Sequence, residues 1–138
     1  MNEFVGPTRF QWTNRQLEIV NSLLCIFPDK YKKIWHSNSI KPNVIKHSQL
    51  SMILRDPSEA IESSNILPLL HEIFDVVELK GYGGSLLHLL FGGIAHHFLT
   101  PDNEGQELLR ICFEMEDLLI EAGEIDHDFV VSVCKKRS

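Results

Sequence analysis

Three histidines lie close together in the second half of the chain, and their spacing decides what chemistry they could do. His88 and His96 are eight residues apart on a predicted helix, and His97 follows directly. A metal site needs three or four converging ligands, which a helix commonly presents as i, i+4 pairs, so we predict no metal. His88 lies one turn beyond a glycine-rich segment and is a candidate general base. The alternative is a hydrogen-bonded histidine in the core or at its rim.

Four other residues are candidates for binding a substrate. Arg9 could hold a carboxylate or phosphate through its planar guanidinium, against the alternative of a surface ion pair. Trp12 could stack on a substrate ring, or pack on the first helix. Tyr82 and Gly83 belong to the segment Gly81-Tyr82-Gly83-Gly84, a glycine-rich loop that could line a pocket.

Composition excludes several classes of protein. The 138 residues carry a formal net charge of −6, and basic residues cluster only at Lys135–Arg137, so we predict no nucleic-acid partner. No apolar run reaches the roughly 18 residues that cross a bilayer, and no leader pattern is present, which predicts a cytoplasmic protein without membrane contact. The three cysteines form no CxxC pair, which argues against zinc and disulfides. Residues 1–138 are predicted to form a single unit.

The elements that must position these residues are mostly helical. Apolar spacing and capping signals predict helices from Thr13 to Phe27, Asp29 to Trp35, Ser48 to Leu54, Asp56 onward, Ser63 or Ser64 to Phe74, Ser85 to Phe98 and Glu104 to Ala122. The last of these has a predicted inner face of Leu108, Ile111, Cys112, Met115, Leu118 and Leu119. Asp75–Lys80 and Asp128–Val133 are predicted strands that pair with each other, and Phe4-Val5 could end a third. The prediction is an α/β fold, rich in helix, with two to three strands covered by about five or six helices.

Four segments then suggest a family. They are Glu3–Thr13, Asp56–Ser63, Tyr82–Leu87 and Asp128–Val133. In their order and spacing they resemble the C-terminal half of a group of bacterial class I S-adenosylmethionine-dependent methyltransferases. The resemblance implies part of a doubly wound, seven-stranded domain, beginning at the end of the fifth strand and containing the sixth and seventh. It also implies that Glu3 follows a strand that opens into the active site.

The cofactor signature of that family is missing from this sequence. In the family, a glycine-rich turn after the first strand and an acidic residue after the second hold S-adenosylmethionine. Gly81-Tyr82-Gly83-Gly84 follows a predicted strand, yet no acidic residue ends a second strand some twenty residues later. We therefore expect S-adenosylmethionine in the full-length family and no cofactor on this chain alone.

The sequence thus predicts the substrate-side portion of a methyltransferase that acts on a small molecule or sugar and is inactive as this chain alone. Glu3 would orient a substrate hydroxyl or amine or accept its proton, unless it is a solvated residue near the terminus. The predicted partner is a second copy or a separate cofactor-binding half. The alternative is a non-catalytic helical interaction or dimerisation module.

Overall fold

The computed structural model describes residues 1–46, 48, 54, 56, 58 and 60–137. They form two compact units. The sheet unit contains Met1–Trp12, Lys46–Ser85 and Asp126–Ser138, and the helical unit contains Thr13–Ile45 and Leu86–Ile125. The predicted mixed α/β class is confirmed. That residues 1–138 form a single unit stays a prediction.

A three-stranded antiparallel sheet forms the centre of the sheet unit. Its strands are β1 (Asn2–Phe4), β2 (Phe74–Gly81) and β3 (Phe129–Lys136), in the order β1-β3-β2. Both outer strands run antiparallel to β3, so β1 and β2 point the same way. The predicted strands near residues 76 and 131, and their pairing, are therefore confirmed.

Side chains of β3 alternate between a buried and an open face, as a pleated strand requires. Val130 and Ser132 are buried, whereas Val131 and Val133 are exposed. The sheet therefore packs through one face only. A register shift between Val76 and Glu78 interrupts the pairing of β2 with β3.

Helix α2 (Ile66–Ile73) follows a 3-10 turn at Ser63–Asn65 and leads directly into β2. Arg137, just beyond β3, donates hydrogen bonds to the carbonyl oxygens of His71 and Glu72 and pairs with Asp75 at 3.2 Å. Since the last carbonyls of a helix lack partners within it, this guanidinium satisfies the end of α2.

Helix α1 (Asn14–Ile26) begins the helical unit where the sequence predicted it. Thr13 accepts a hydrogen bond from the Gln16 amide, and the Gln16 side chain accepts one from the Thr13 amide. This reciprocal capping box satisfies two amides that the helix leaves unpaired. The predicted helix Asp29–Trp35 is wrong, because only Asp29–Tyr31 is helical, as a single 3-10 turn.

Helix α4 is the longest helix described and lies where the sequence predicts it. Part of the predicted inner face, however, is wrong. The helix spans Asn103–Glu121, and Gly123 at φ +71° follows its end. Its buried residues are Gly105, Cys112 and Glu116, whereas Ile111, Met115 and Leu118 are exposed. The face that packs inward is therefore centred on Cys112 and Glu116 rather than on the longest apolar side chains.

The predicted helix Ser85–Phe98 is broken. Helix α3 covers only Leu87–Phe91, Gly93 adopts φ +78°, and Ala95–Phe98 forms a 3-10 turn. A helix of five residues gains too few internal hydrogen bonds to form alone. With α1, α2 and α4 it brings the described helices to four, and the predicted helix at Ser48–Leu54 lies largely outside the described residues.

Charged side chains close both ends of α3. At its start, the Glu116 carboxylate accepts hydrogen bonds from the Leu86 and Leu87 amides at 2.7 and 3.0 Å. At its end, the Lys41 ammonium donates to the carbonyl oxygens of Leu89, Leu90 and Gly92, at 2.7 to 3.0 Å. Burial lowers the pKa of Lys41 to about 8. The signs match the helix dipole, with a negative charge at the amino end and a positive charge at the carboxyl end.

Replacement of Glu116 is expected to destabilise the protein strongly. Glu116→Ala leaves two buried amides without an acceptor, which we expect to lower the free energy of unfolding by about 2–4 kcal/mol. Glu114→Ala on the same helix removes only an exposed ion pair with Arg110 and should lower it by under about 0.5 kcal/mol. Urea denaturation measures both, and equal losses would contradict the role given to Glu116.

Asp102 is expected to make stability fall at acid pH. It caps α4 through the Gly105 amide at 2.8 Å. Hydrogen bonds from Tyr31, Gly105 and Lys30 hold the pKa of Asp102 down to about 2. Because its ordinary pKa is 3.8, the stability that the charged form provides is complete above pH 4 and disappears as the pH falls through 2.

Asp102→Asn tests this directly, since asparagine also caps helices but carries no charge. The difference in urea midpoint between the two proteins should be constant from pH 5 to 7 and should shrink toward zero by about pH 2. A difference that stays constant over the whole range would show that the charge is irrelevant.

Candidate functional site

A cavity of about 480 Å³ in the sheet unit contains the candidate residue Glu3. We call it the Glu3 cavity. Its described lining residues come from β1, from the turn after it, and from the segment that leads into the first residue of α2. They are Glu3, Phe4, Phe10, Ser58, Ala60, Ile61, Glu62, Ser63 and Ile66. The site is therefore assembled from two chain segments about sixty residues apart.

Aromatic packing fixes the β1 side of this cavity. The Phe4 ring lies 4.9 Å from Phe10 and 5.3 Å from Phe129. Phe10 adopts φ +51°, an unfavourable backbone conformation for a side chain of this size. Such conformations are found where surrounding packing imposes them, often near functional sites. The Phe4 and Phe10 rings on this side of the cavity are therefore held in place by several contacts at once.

A hydrogen bond joins the two segments that form the cavity. Thr8 and Ser64 share it through their hydroxyl oxygens, 2.6 Å apart. Glu62 accepts a hydrogen bond from the Asn65 side chain, within the 3-10 turn that precedes α2. Ser63 was predicted to be a helix cap and Glu62 was not singled out. The spacing of residues 60–66 gives no sign that they form a wall opposite β1.

The charge of the Glu3 cavity indicates what it could bind. Glu3 and Glu62 are the charged side chains among its described lining residues, and Phe4, Phe10 and Ile66 supply apolar surface. Carboxylates accept hydrogen bonds and favour cations. The arrangement therefore suits a small molecule that has amine or hydroxyl groups and an apolar face.

Two further candidates lie in the segment after β1. Arg9 lies in the 3-10 turn Thr8–Phe10, and its side chain is outside the described part of the protein. Trp12 is buried and stacks on Phe10, with ring centroids 5.3 Å apart. The Trp12 ring is therefore part of the packing behind the cavity, while Phe10 provides the surface that lines it.

Tyr82 and Gly83 follow β2 and form hydrogen bonds with residues at the beginning of β3. Gly83 at φ +82° donates its amide hydrogen to His127 Nδ1 at 2.8 Å and accepts hydrogen bonds from the Asp128 and Phe129 amides. The Tyr82 hydroxyl donates to Asn2 at 2.6 Å. His127 was not predicted, and no sequence spacing relates it to Gly83.

His88 lies in the helical unit, where it is exposed on α3. The other candidates, Glu3, Arg9, Trp12, Tyr82 and Gly83, all lie in the sheet unit. Within the described residues, no group of three or more His, Cys, Asp or Glu side chains is arranged to hold a metal ion. No helix in that part of the chain is long and apolar enough to cross a membrane.

Comparison with known proteins adds nothing to this geometry. No family model matches the chain, and neither a curated protein nor a solved structure matches it significantly. The residues of the site itself are therefore the basis for its chemistry.

Gly84 is expected to tolerate a side chain poorly, because a Cβ there would lie 2.2 Å from the Phe129 ring at φ +84°. Gly84→Ala should lower the free energy of unfolding by about 2–4 kcal/mol, from backbone strain and overpacking together. Gly123→Ala is the matched control, since Gly123 has φ +71° but no atom within 4 Å of the new Cβ. It should lose only about 1 kcal/mol. Thermal and urea denaturation compare the two, and equal losses would mean that Phe129 moves aside.

Proposed function

We propose that this chain is the substrate-side portion of an S-adenosylmethionine-dependent methyltransferase acting on a small molecule or sugar. The observation that carries the proposal is the Glu3 cavity, which opens beside β1 where the resemblance expects the methyl acceptor. The sheet order supports it further. The segments that the resemblance matches to the end of strand five and to strands seven and six lie side by side as β1, β3 and β2.

In this proposal Glu3 is the residue that handles the acceptor. Its carboxylate accepts a hydrogen bond from the acceptor hydroxyl or amine, orients it, and takes its proton when it reacts as a nucleophile. Glu62 offers a second acceptor on the opposite wall, and the rings of Phe4 and Phe10 hold the apolar face. The site therefore selects an acceptor by the hydrogen-bond donors that the acceptor carries and by the shape of its apolar face.

The glycine-rich turn of this chain is poorly suited to S-adenosylmethionine. In the turn Gly81-Tyr82-Gly83-Gly84, the Gly83 amide is already bonded to His127 and Phe129 fills the space beside Gly84. These glycines therefore allow the turn to pack against β3 and leave no cradle for a nucleotide. A separate cofactor-binding half, or a second copy, would supply the rest of the site.

The outer edge of β1 supports association with such a partner. β1 is an edge strand, and Glu3 and Val5 direct their backbone groups toward β3, so those of Asn2 and Phe4 face away from the sheet. An edge of this kind favours pairing with a further strand.

A second candidate function is a non-catalytic helical dimerisation module. The observation that favours it is the exposed stripe on α4, where Ile111, Met115 and Leu118 lie at helical spacing and Leu118 is 61% exposed. Exposed apolar stripes commonly mark interaction surfaces.

An NMR titration of the ¹⁵N-labelled chain distinguishes these functions. Amino sugars and polyhydroxylated small molecules should shift the amide signals of Phe10, Ile61 and Ser63, and Glu3→Gln should weaken this binding by about tenfold as a charge-assisted hydrogen bond is lost. Glu124→Gln, a substitution on the helical unit, is the matched control and should have no effect. S-adenosylmethionine should produce no saturable shift.

Two outcomes would contradict the proposal. Saturable binding of S-adenosylmethionine at micromolar concentration would show that the chain contains a complete cofactor site. If none of the acceptor compounds perturbs the Glu3 cavity, the acceptor role fails and the dimerisation module becomes the better explanation.

A further inference from the structure

The helical unit contains a second cavity, of about 410 Å³, that the proposed function does not use. We call it the Trp35 cleft. It is lined by two short segments, one in the loop after Tyr31 and one in the 3-10 turn after α3, and its residues are Lys33, Ile34, Trp35, His36, Ser37, Asn38, His96 and His97.

Backbone hydrogen bonds hold the first of these segments in a fixed shape. The Ile34 amide donates to Ser39 O at 3.0 Å, and the Lys41 amide donates to Lys32 O at 2.8 Å. The Trp35 amide donates to Gly93 O at 2.9 Å, which ties the loop to the chain that follows α3. The loop is therefore a closed turn anchored at its base and at its tip.

The tip of this loop presents a flat aromatic surface. Trp35 is 57% exposed, although its ring contacts His36 and His96 at centroid distances of 4.5 and 4.7 Å. The ring centroids of His96 and His97 lie 3.8 Å apart. An exposed indole costs hydration free energy, and here it is surrounded by polar groups that could contact the rim of a bound ring.

Two details indicate that the cleft is strained and incompletely bonded. His36 adopts φ +55°, which is uncommon for a residue other than glycine and occurs preferentially at functional sites. The Nδ1 atom of His96 is buried and has no hydrogen-bond partner among the described residues. By contrast, His97 Nε2 donates to Lys33 O at 2.9 Å.

The charges of the Trp35 cleft are opposite to those of the Glu3 cavity. Lys33 and three imidazoles are its titratable groups, and no Asp or Glu is among its described lining residues. This is notable in a chain of net charge −6. Lys33 forms no ion pair within the part of the chain that the structure describes, so its ammonium is available to an anion.

We propose that the Trp35 cleft binds a flat ring that carries an anionic group, either a carboxylate or a phosphate. The ring stacks on the Trp35 indole, and the anionic group lies against His96, His36 and Lys33. Ser37 and Asn38 supply further polar contacts at the rim. The bound anion balances the charge of the Lys33 ammonium beside the imidazoles.

Binding of such an anion is linked to proton uptake. Burial, then the neighbouring His97 and His36, lowers the pKa of His96, so its imidazole is neutral near pH 7. The other groups that face the cluster are Lys33 and the Tyr31 ring, whose hydroxyl is bonded to Asp102. An anion stabilises the imidazolium form and raises the His96 pKa, so affinity increases as the pH falls.

Isothermal titration calorimetry with four probes tests the proposal. Benzoate and phenyl phosphate should bind saturably, and the tighter of the two identifies the anionic group. Benzyl alcohol lacks the charge and inorganic phosphate lacks the ring, so each should bind at least about tenfold more weakly. Affinity for benzoate, whose charge is constant over this range, should rise several-fold, up to about tenfold per proton taken up and pH unit, between pH 7.5 and 5.5.

Variants locate the site. Trp35→Ala should weaken binding by about three- to tenfold, with Trp35→Phe retaining most of it, because stacking is lost only in the first. His96→Gln should remove most of the pH dependence. His71→Gln, an exposed histidine on α2, is the matched control and should change neither quantity. Circular dichroism establishes that each variant is folded.

The proposal is overturned if neither ring anion binds. It is also overturned if benzyl alcohol binds as tightly as benzoate, or if His71→Gln alters the pH dependence as much as His96→Gln does.

Discussion

The helical unit depends on a short helix whose two ends are held by oppositely charged side chains. Leu86, Leu90 and Ile94 are fully buried on or beside α3, so this segment is the centre of the core. A five-residue helix cannot satisfy its own terminal amides and carbonyls. Glu116, only 2% exposed, binds the amides, and Lys41 binds the carbonyls, from elements far away in sequence. A buried carboxylate and an ammonium from distant segments therefore stabilise the centre of the apolar core.

This constraint also explains the orientation of α4. Apolar periodicity places Ile111, Met115 and Leu118 on one stripe of the helix, and periodicity alone predicts that the stripe faces inward. Glu116 lies more than a third of a turn from the centre of that stripe, next to Cys112. Because its carboxylate must reach the Leu86 and Leu87 amides, the helix turns Glu116 inward and leaves Leu118 exposed. A buried polar contact has greater influence here than the most apolar face.

Local signals in the sequence were sufficient for several elements, but not for most contacts between distant segments. The capping box at Thr13 and Gln16, the end of α4 before Gly123 and the strands near residues 76 and 131 follow from neighbouring residues, whereas the break within Ser85–Phe98 does not. Lys41 binds residues nearly fifty positions away. Glu62 and Glu3 line the same cavity although about sixty residues separate them. No periodicity encodes such partners, so Glu3 could be proposed from resemblance while the opposite wall of its cavity could not.

The two cavities select ligands by opposite charge, and this bears on their roles. Glu3 and Glu62 repel an anion from the Glu3 cavity, whereas the Lys33 ammonium of the Trp35 cleft repels a cation. An acceptor that presents amine or hydroxyl donors would therefore bind the first and not the second. A ring anion would do the reverse, and its affinity would follow the pH through His96.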